Sequence, residues 1–97
     1  MPVELVVVAG ARPNFMKIAP LLEVLSQDSG FSTCLVHTGQ HFDDSMSGQF
    51  FRDLGLPIPD YHLGAGGGSH AQQTAEIMMR LEPVLLERNP RGVIVVG

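Results

Sequence analysis

Two short segments of this 97-residue chain combine a pliant backbone with groups able to hold an anion. The first is Gly10-Ala11-Arg12-Pro13-Asn14-Phe15-Met16-Lys17. Gly10 lets the main chain come close to a ligand, Arg12 offers a planar fork of N–H donors to phosphate oxygens, and Lys17 supplies a point charge. A helix starting at Pro13 would add unpaired N–H groups and a positive dipole end, which also favour phosphate. The alternative is two solvated charges beside an ordinary turn. The segment is neither a P-loop nor a dinucleotide fingerprint, because G-x-x-x-x-G-K-[ST] is absent and Gly10 lacks partner glycines at G-x-G-x-x-G spacing. Gly64-x-Gly66 approaches that fingerprint, but it follows a weak strand and has Ser69 where the last glycine belongs.

The second segment is Thr38-Gly39-Gln40-His41, which sets an amide and an imidazole side by side. His41 can titrate near neutrality or donate a hydrogen bond to a sugar or phosphate; equally, it can cap the next helix or face water. His37 reads as a packed, hydrogen-bonded strand residue. His62 and His70 flank a glycine run without metal-ligand spacing, so no metal site is expected. Asp43-Asp44 reads as helix N-terminal charge rather than a catalytic pair, since adjacent helix residues point apart. Met46, Met78 and Met79 read as core or interface filling, and Cys34, alone in an apolar run, as a buried packing thiol.

The elements that would position these groups follow from hydrophobic pattern. Val3 to Gly10 is a β-branched run of the kind found in parallel strands buried on both faces. Ile18, Leu22 and Leu25, with Leu21 beside them, give the next helix an apolar face. Pro20 predicts a kink there, or a short opening turn with a second helix starting near it. Gly30 should close the helix, and Phe31 to Thr38 forms the second strand. A weaker helix spans Asp43 to Leu54 and stops at Gly55 and Pro57-Ile58-Pro59. Asp60 to Leu63 is a short third strand at best.

Gly64-Ala65-Gly66-Gly67-Gly68 cannot hold a fixed shape alone and is expected to be mobile. Ser69-His70-Ala71-Gln72 has the form of a capping box, opening a helix with Ile77, Leu81 and Leu85 on one face. Pro83 should bend that helix and Asn89-Pro90 should end it. Gly92 to Gly97 reads as a fourth buried strand. The pattern is α/β: a Rossmann-like, doubly wound parallel sheet joined by right-handed crossovers.

Composition narrows the function classes. Hydrophobic residues make up 44% of the chain and charged residues 16%, against a charged share of about 25% in ordinary domains. Such a bias suggests apolar surface that meets a partner domain or subunit. The net charge of −4 and the scattered basic residues argue against a nucleic-acid partner. The apolar run Leu5 to Ala11 is too short to span a membrane and no basic region precedes it, so a cytoplasmic location is expected.

Taken together, Gly10 to Pro20, Thr38-Gly39-Gln40-His41, Pro59-Asp60-Tyr61-His62-Leu63 and Val93-Ile94-Val95-Val96-Gly97 make the chain similar to the N-terminus of the non-hydrolysing UDP-N-acetylglucosamine 2-epimerases. The resemblance covers essentially all 97 residues. It implies that residues 1–97 are a partial N-terminal Rossmann-like domain of a two-domain, GT-B-like enzyme, a homodimer using neither metal nor redox cofactor. That enzyme would interconvert UDP-N-acetylglucosamine and UDP-N-acetylmannosamine by eliminating UDP and adding it back. Arg12, Lys17 and Gly10 match substrate-contacting positions, whereas the family's acids lie after the position of Gly97, leaving no catalytic residue within the chain. Gln40 matches a position of a second, activating substrate site in some bacterial members, with His41 beside it. Asp43, Ser69 and His70 do not match the rest of that site. Asn14 departs from the glutamate common at its position. The competing expectations are a GT-B-type glycosyltransferase and a nucleotide-sugar-binding or subunit-contact module.

Overall fold

The computed structural model describes residues 2–10, 12–39 and 48–96, with the side chain of Arg12 left out. Seven elements follow one another: β1 (Val3–Ala9), α1 (Arg12–Ser26), β2 (Phe31–His37), α2 (Gly48–Asp53), β3 (Tyr61–His62), α3 (His70–Arg88) and β4 (Gly92–Val95). The strands form one sheet in the order β3-β2-β1-β4, and every pairing is parallel.

β1 is one of the two inner strands, which accounts for its unbroken apolar run. Val7 and Ala9 face one side, packing with Phe15, Ile18 and Leu22 of α1, Leu35 of β2, and Phe50 and Phe51 of α2. Val6 and Val8 face the other, packing with Cys34, Val36, Leu63 and Val84 of α3. Thus α1 and α2 cover one face while α3 covers the opposite one. That division is what right-handed crossovers require when the chain steps from β1 to β2 to β3 and then returns past β1 to β4. The reversal falls between β1 and β4, and doubly wound sheets bind ligands beyond the carboxyl ends of the strands at such a point.

Both long helices run unbroken through their prolines, Pro20 in α1 and Pro83 in α3. A second helix starting near Pro20 is therefore not formed. Each proline stands on the exposed side, four residues after an exposed methionine, Met16 and Met79. Water can hydrate the carbonyl that each proline leaves without a donor, and this lowers the cost of a proline inside a helix. α1 ends at Ser26, so Gly30 does not close it; Gly30 instead leads into β2, its N–H donating to Asp28 Oδ1 at 2.8 Å.

The stop at Gly55 holds. With φ +70°, Gly55 donates to the Arg52 carbonyl at 3.0 Å and Leu56 to the Phe51 carbonyl at 2.9 Å, the paired bonds of a Schellman ending. The part of the expected helix from Asp43 to Ser47, including Met46, lies outside the described residues. The capping box of α3 is formed: Ser69 Oγ accepts from Gln72 N–H at 3.1 Å, and Gln72 Oε1 accepts from Ser69 N–H at 2.8 Å. Asn89, in the left-handed region at φ 45°, closes that helix as expected.

One expectation changes. β4 is not buried: Val93 and Val95 are 44% and 70% exposed, because β4 forms the sheet's edge and α3 lies over its neighbours. The start of the glycine run is tied to β2. Leu63 N–H donates to the His37 carbonyl at 2.8 Å and Ala65 N–H to the Thr38 carbonyl at 2.7 Å. Ala65 is buried, and Arg80 of α3 donates to the Leu63 carbonyl.

At the amino ends of the strands, Arg88 draws three elements together. Its guanidinium donates to Glu4 Oε1 and to Tyr61 Oη, each at 3.2 Å, and lies 5.4 Å from the Tyr61 ring centroid. No described helix is long and apolar enough to cross a membrane.

Candidate functional site

The two segments that could do chemistry sit at the ends of adjacent central strands, β1 and β2. Beyond the last paired residues, Ala9 and His37, Thr38 N–H donates to the Ala9 carbonyl at 3.0 Å and keeps the two chains side by side. Their contact is close enough to dictate residue type. A Cβ at Gly10 would stand 2.3 Å from Thr38 Oγ1, and one at Gly39 would stand 3.2 Å from His37 Cε1 and 3.5 Å from the Gly10 carbonyl oxygen. Gly10 makes room for Thr38 of the neighbouring segment, and Gly39 for the His37 ring of its own.

Asn14 finishes the turn from β1 into α1. Its Oδ1 accepts a hydrogen bond from Gly10 N–H at 3.2 Å, so the side chain braces the backbone of the turn. An amide at this position is thereby engaged as an acceptor, a role that needs no acid. Phe15, the next residue, is fully buried and stacks on His37 with ring centroids 5.2 Å apart and planes inclined by 24°. It also meets Phe50 and Phe51 edge-on, with centroids 6.4 and 5.2 Å away. Aromatic pairs in these geometries contribute about 0.5–1.5 kcal/mol beyond area burial. The N-terminal turn of α1 is thus anchored to the core directly beneath the site.

Of the residues singled out from sequence, Gly10 lies at the carboxyl end of β1, and Arg12 opens α1 with its side chain outside the described residues. Lys17 is exposed on the second turn of α1. Gln40 and His41 lie outside the described residues, while Gly39, just before them, is placed. His37 is buried, as expected of a packed strand residue, and Cys34 is a buried free thiol. Desolvation pushes the Cys34 thiol's pKa up, with the Arg88 charge opposing. His62 and His70 are exposed, and among the described residues no three His, Cys, Asp or Glu side chains converge as a metal site would require.

Sequence reasoning did not identify Thr38 and His37 as the residues that hold the two segments together. The available signal was the placement of a glycine at each strand end, which calls for something bulky pressing on it. A groove of about 450 Å³ lined by Leu22, Ser26, Thr33 and Leu56 lies between the far half of α1 and the chain after α2, away from these strand ends.

A parallel sheet with Gly10 and Gly39 at the carboxyl ends of its inner strands is of the doubly wound α/β class, whose members bind ligands beyond such strand ends. Within that class, the family model for UDP-N-acetylglucosamine 2-epimerase matches residues 23–97, and the chain belongs to that family. It is 42% identical over 94 residues to the UDP-2,3-diacetamido-2,3-dideoxy-D-glucuronate 2-epimerase of Pseudomonas aeruginosa, covering 97% of this chain and 27% of that protein. Among solved structures, the UDP-GlcNAc 2-epimerase of Methanocaldococcus jannaschii in complex with UDP-GlcNAc and UDP superimposes with a TM-score of 0.88 at 35% identity, over 98% of this chain and 26% of that one. The Neisseria meningitidis enzyme bound to UDP-GlcNAc gives a TM-score of 0.85 at 27% identity, over 98% and 26%. The fold is accordingly the GT-B-like fold of these enzymes, and this chain spans about a quarter of the length of the relatives it matches.

Proposed function

We propose that residues 1–97 form the first part of the N-terminal Rossmann-like domain of a UDP-N-acetylglucosamine 2-epimerase. The enzyme inverts C2 of the sugar by eliminating UDP and adding it back. The observation that supports this reading is the contact between the ends of β1 and β2, where Thr38 N–H donates to the Ala9 carbonyl at 3.0 Å and Gly10 leaves room for the Thr38 hydroxyl. There the start of α1 presents main-chain N–H groups, Arg12 and Lys17 supply positive charge, and Gly10 lets the diphosphate approach. Gln40 and His41, which follow Gly39 in the sequence, serve the sugar or a second, regulatory nucleotide sugar. The groups that move the C2 proton belong to polypeptide beyond residue 97, so the 97-residue chain alone does not turn over. The enzyme works in the cytoplasm as a homodimer and needs no added cofactor.

The test is formation of UDP-N-acetylmannosamine by the full-length protein, run in heavy water. Epimerisation through loss of the C2 proton places deuterium at that carbon, whereas glycosyl transfer leaves it untouched. Turnover by residues 1–97 alone would overturn the placement of the acids.

A second reading concerns the sugar. The P. aeruginosa relative, 42% identical, is named for a diacetamido uronate rather than UDP-N-acetylglucosamine. The C2 inversion is the same in kind, and competition between the two nucleotide sugars at equal concentration assigns the substrate.

A further inference from the structure

Three parts of the site meet on one side chain. His37 is 1% exposed, stacks on Phe15 of α1, and lies 5.4 Å, centroid to centroid, from the His62 ring of β3. Its Nδ1 is 3.1 Å from both the amide nitrogen and the carbonyl oxygen of Gly39. With the ring proton on Nε2, Nδ1 accepts from Gly39 N–H; with the proton on Nδ1, it donates to the Gly39 carbonyl. Either tautomer fastens residue 39. A Cβ on Gly39 would meet both the His37 ring and the Gly10 carbonyl oxygen, at 3.2 and 3.5 Å, so Gly39 sits against the ring and beside the end of β1.

A buried imidazole is a costly way to fill a core, since phenylalanine would occupy similar space with no polar atom to desolvate. The cost is offset where the ring's hydrogen bond sets a geometry that an apolar side chain cannot. We propose that His37 is a positioning residue for ligand binding: it fixes Gly39, at the carboxyl end of β2 beside Gly10, in the form that receives the nucleotide. This inference rests on reading the strand ends as a UDP-sugar site.

The test compares His37→Phe and His37→Asn in the full-length enzyme. Phenylalanine keeps a ring against Phe15 and loses Nδ1. Asparagine returns an amide near the Nδ1 position and loses the stack. Calorimetric titration with UDP, steady-state kinetics and the thermal midpoint are read on each. The expected result for the Phe variant is a near-normal midpoint and kcat with UDP binding and KM weakened about three- to tenfold, the scale of one net hydrogen bond. The Asn variant should melt earlier yet bind UDP almost as the wild type does. Wild-type UDP affinity in the Phe variant would overturn the proposal. So would affinity falling in step with thermal stability in both variants, the mark of a histidine that only packs. If the unaltered enzyme does not bind UDP, the site reading itself fails, an outcome separate from any difference between the variants.

Discussion

Gly10 and Thr38 occupy the same small space from opposite strands: a methyl group on the first would lie 2.3 Å from the hydroxyl oxygen of the second. Gly10→Ala should therefore destabilise the fold by about 1–3 kcal/mol through overpacking. Thr38→Ala removes the obstructing oxygen, and the Thr38 Cβ that remains would sit 3.7 Å away, an ordinary contact. In urea unfolding, the double variant should lose less stability than the sum of the single ones. Strict additivity would show that the two residues do not press on each other.

Removing charge at the start of α1 should cost binding rather than folding. Arg12→Ala and Lys17→Ala in the full-length enzyme are expected to lower kcat/KM for UDP-N-acetylglucosamine by about 1.5–3 kcal/mol each, the usual worth of a charge-assisted hydrogen bond. Their thermal midpoints should match the wild type. Unchanged kinetics in both would leave two solvated surface charges.

The capping box of α3 can be tested by itself. Ser69→Ala leaves Gln72 N–H without its 3.1 Å acceptor and should cost about 1 kcal/mol in chemical denaturation, while Ser69→Asp should recover most of it. Equal losses in the two variants would remove the cap from the account.

Burial raises the Cys34 pKa, so the folded state holds the thiol proton more tightly than the unfolded chain does. The unfolded state then binds fewer protons once the pH passes the ordinary thiol range, and stability falls as pH rises. Its contribution is complete below that range and is lost on the way up to the folded pKa. Cys34→Ala should flatten this alkaline decline in melting temperature as the pH is raised through and beyond the ordinary thiol range. Native protein should also react with a thiol reagent only as fast as it opens.

Val93 and Val95 expose apolar surface at the sheet edge, together with Met78, Met79 and Leu86 of α3. The 97-residue chain is expected to self-associate at micromolar concentration, and Val93→Thr with Val95→Thr should reduce that without lowering stability. Sedimentation velocity of both forms is the measurement.

Much of this arrangement was legible because parallel strands leave an unmistakable mark: a run such as Val6-Val7-Val8 makes sense only if both sides are covered. The same mark misled at the last strand. Val93-Ile94-Val95-Val96 carries an identical pattern, but exposure depends on what lies over a strand, and that is a property of topology rather than of the run itself. Pro20 pointed to a kink or to a second helix starting near it since its local cost is real; its solvent-facing position, which lowers that cost, appears only in three dimensions. The segment expected to bind an anion was read for Arg12 and Lys17, yet Phe15 and Asn14 are the residues that brace it in the structure. Stacking on a ring from another strand is invisible in spacing alone.

The strand order carries a consequence for how the protein is made. β1 precedes the other three strands in the chain and lies inside the sheet, yet one neighbour begins at Phe31 and the other only at Gly92. Among the described residues every strand pairing is parallel, so the sheet does not start from a hairpin, and its formation waits on loop closures of many residues. A nascent chain would therefore hold its most apolar segment unpaired on one side until the strand that starts at Gly92 had been synthesised. Chaperone dependence during translation, rather than weakness of the finished core, is where such a topology exacts its toll.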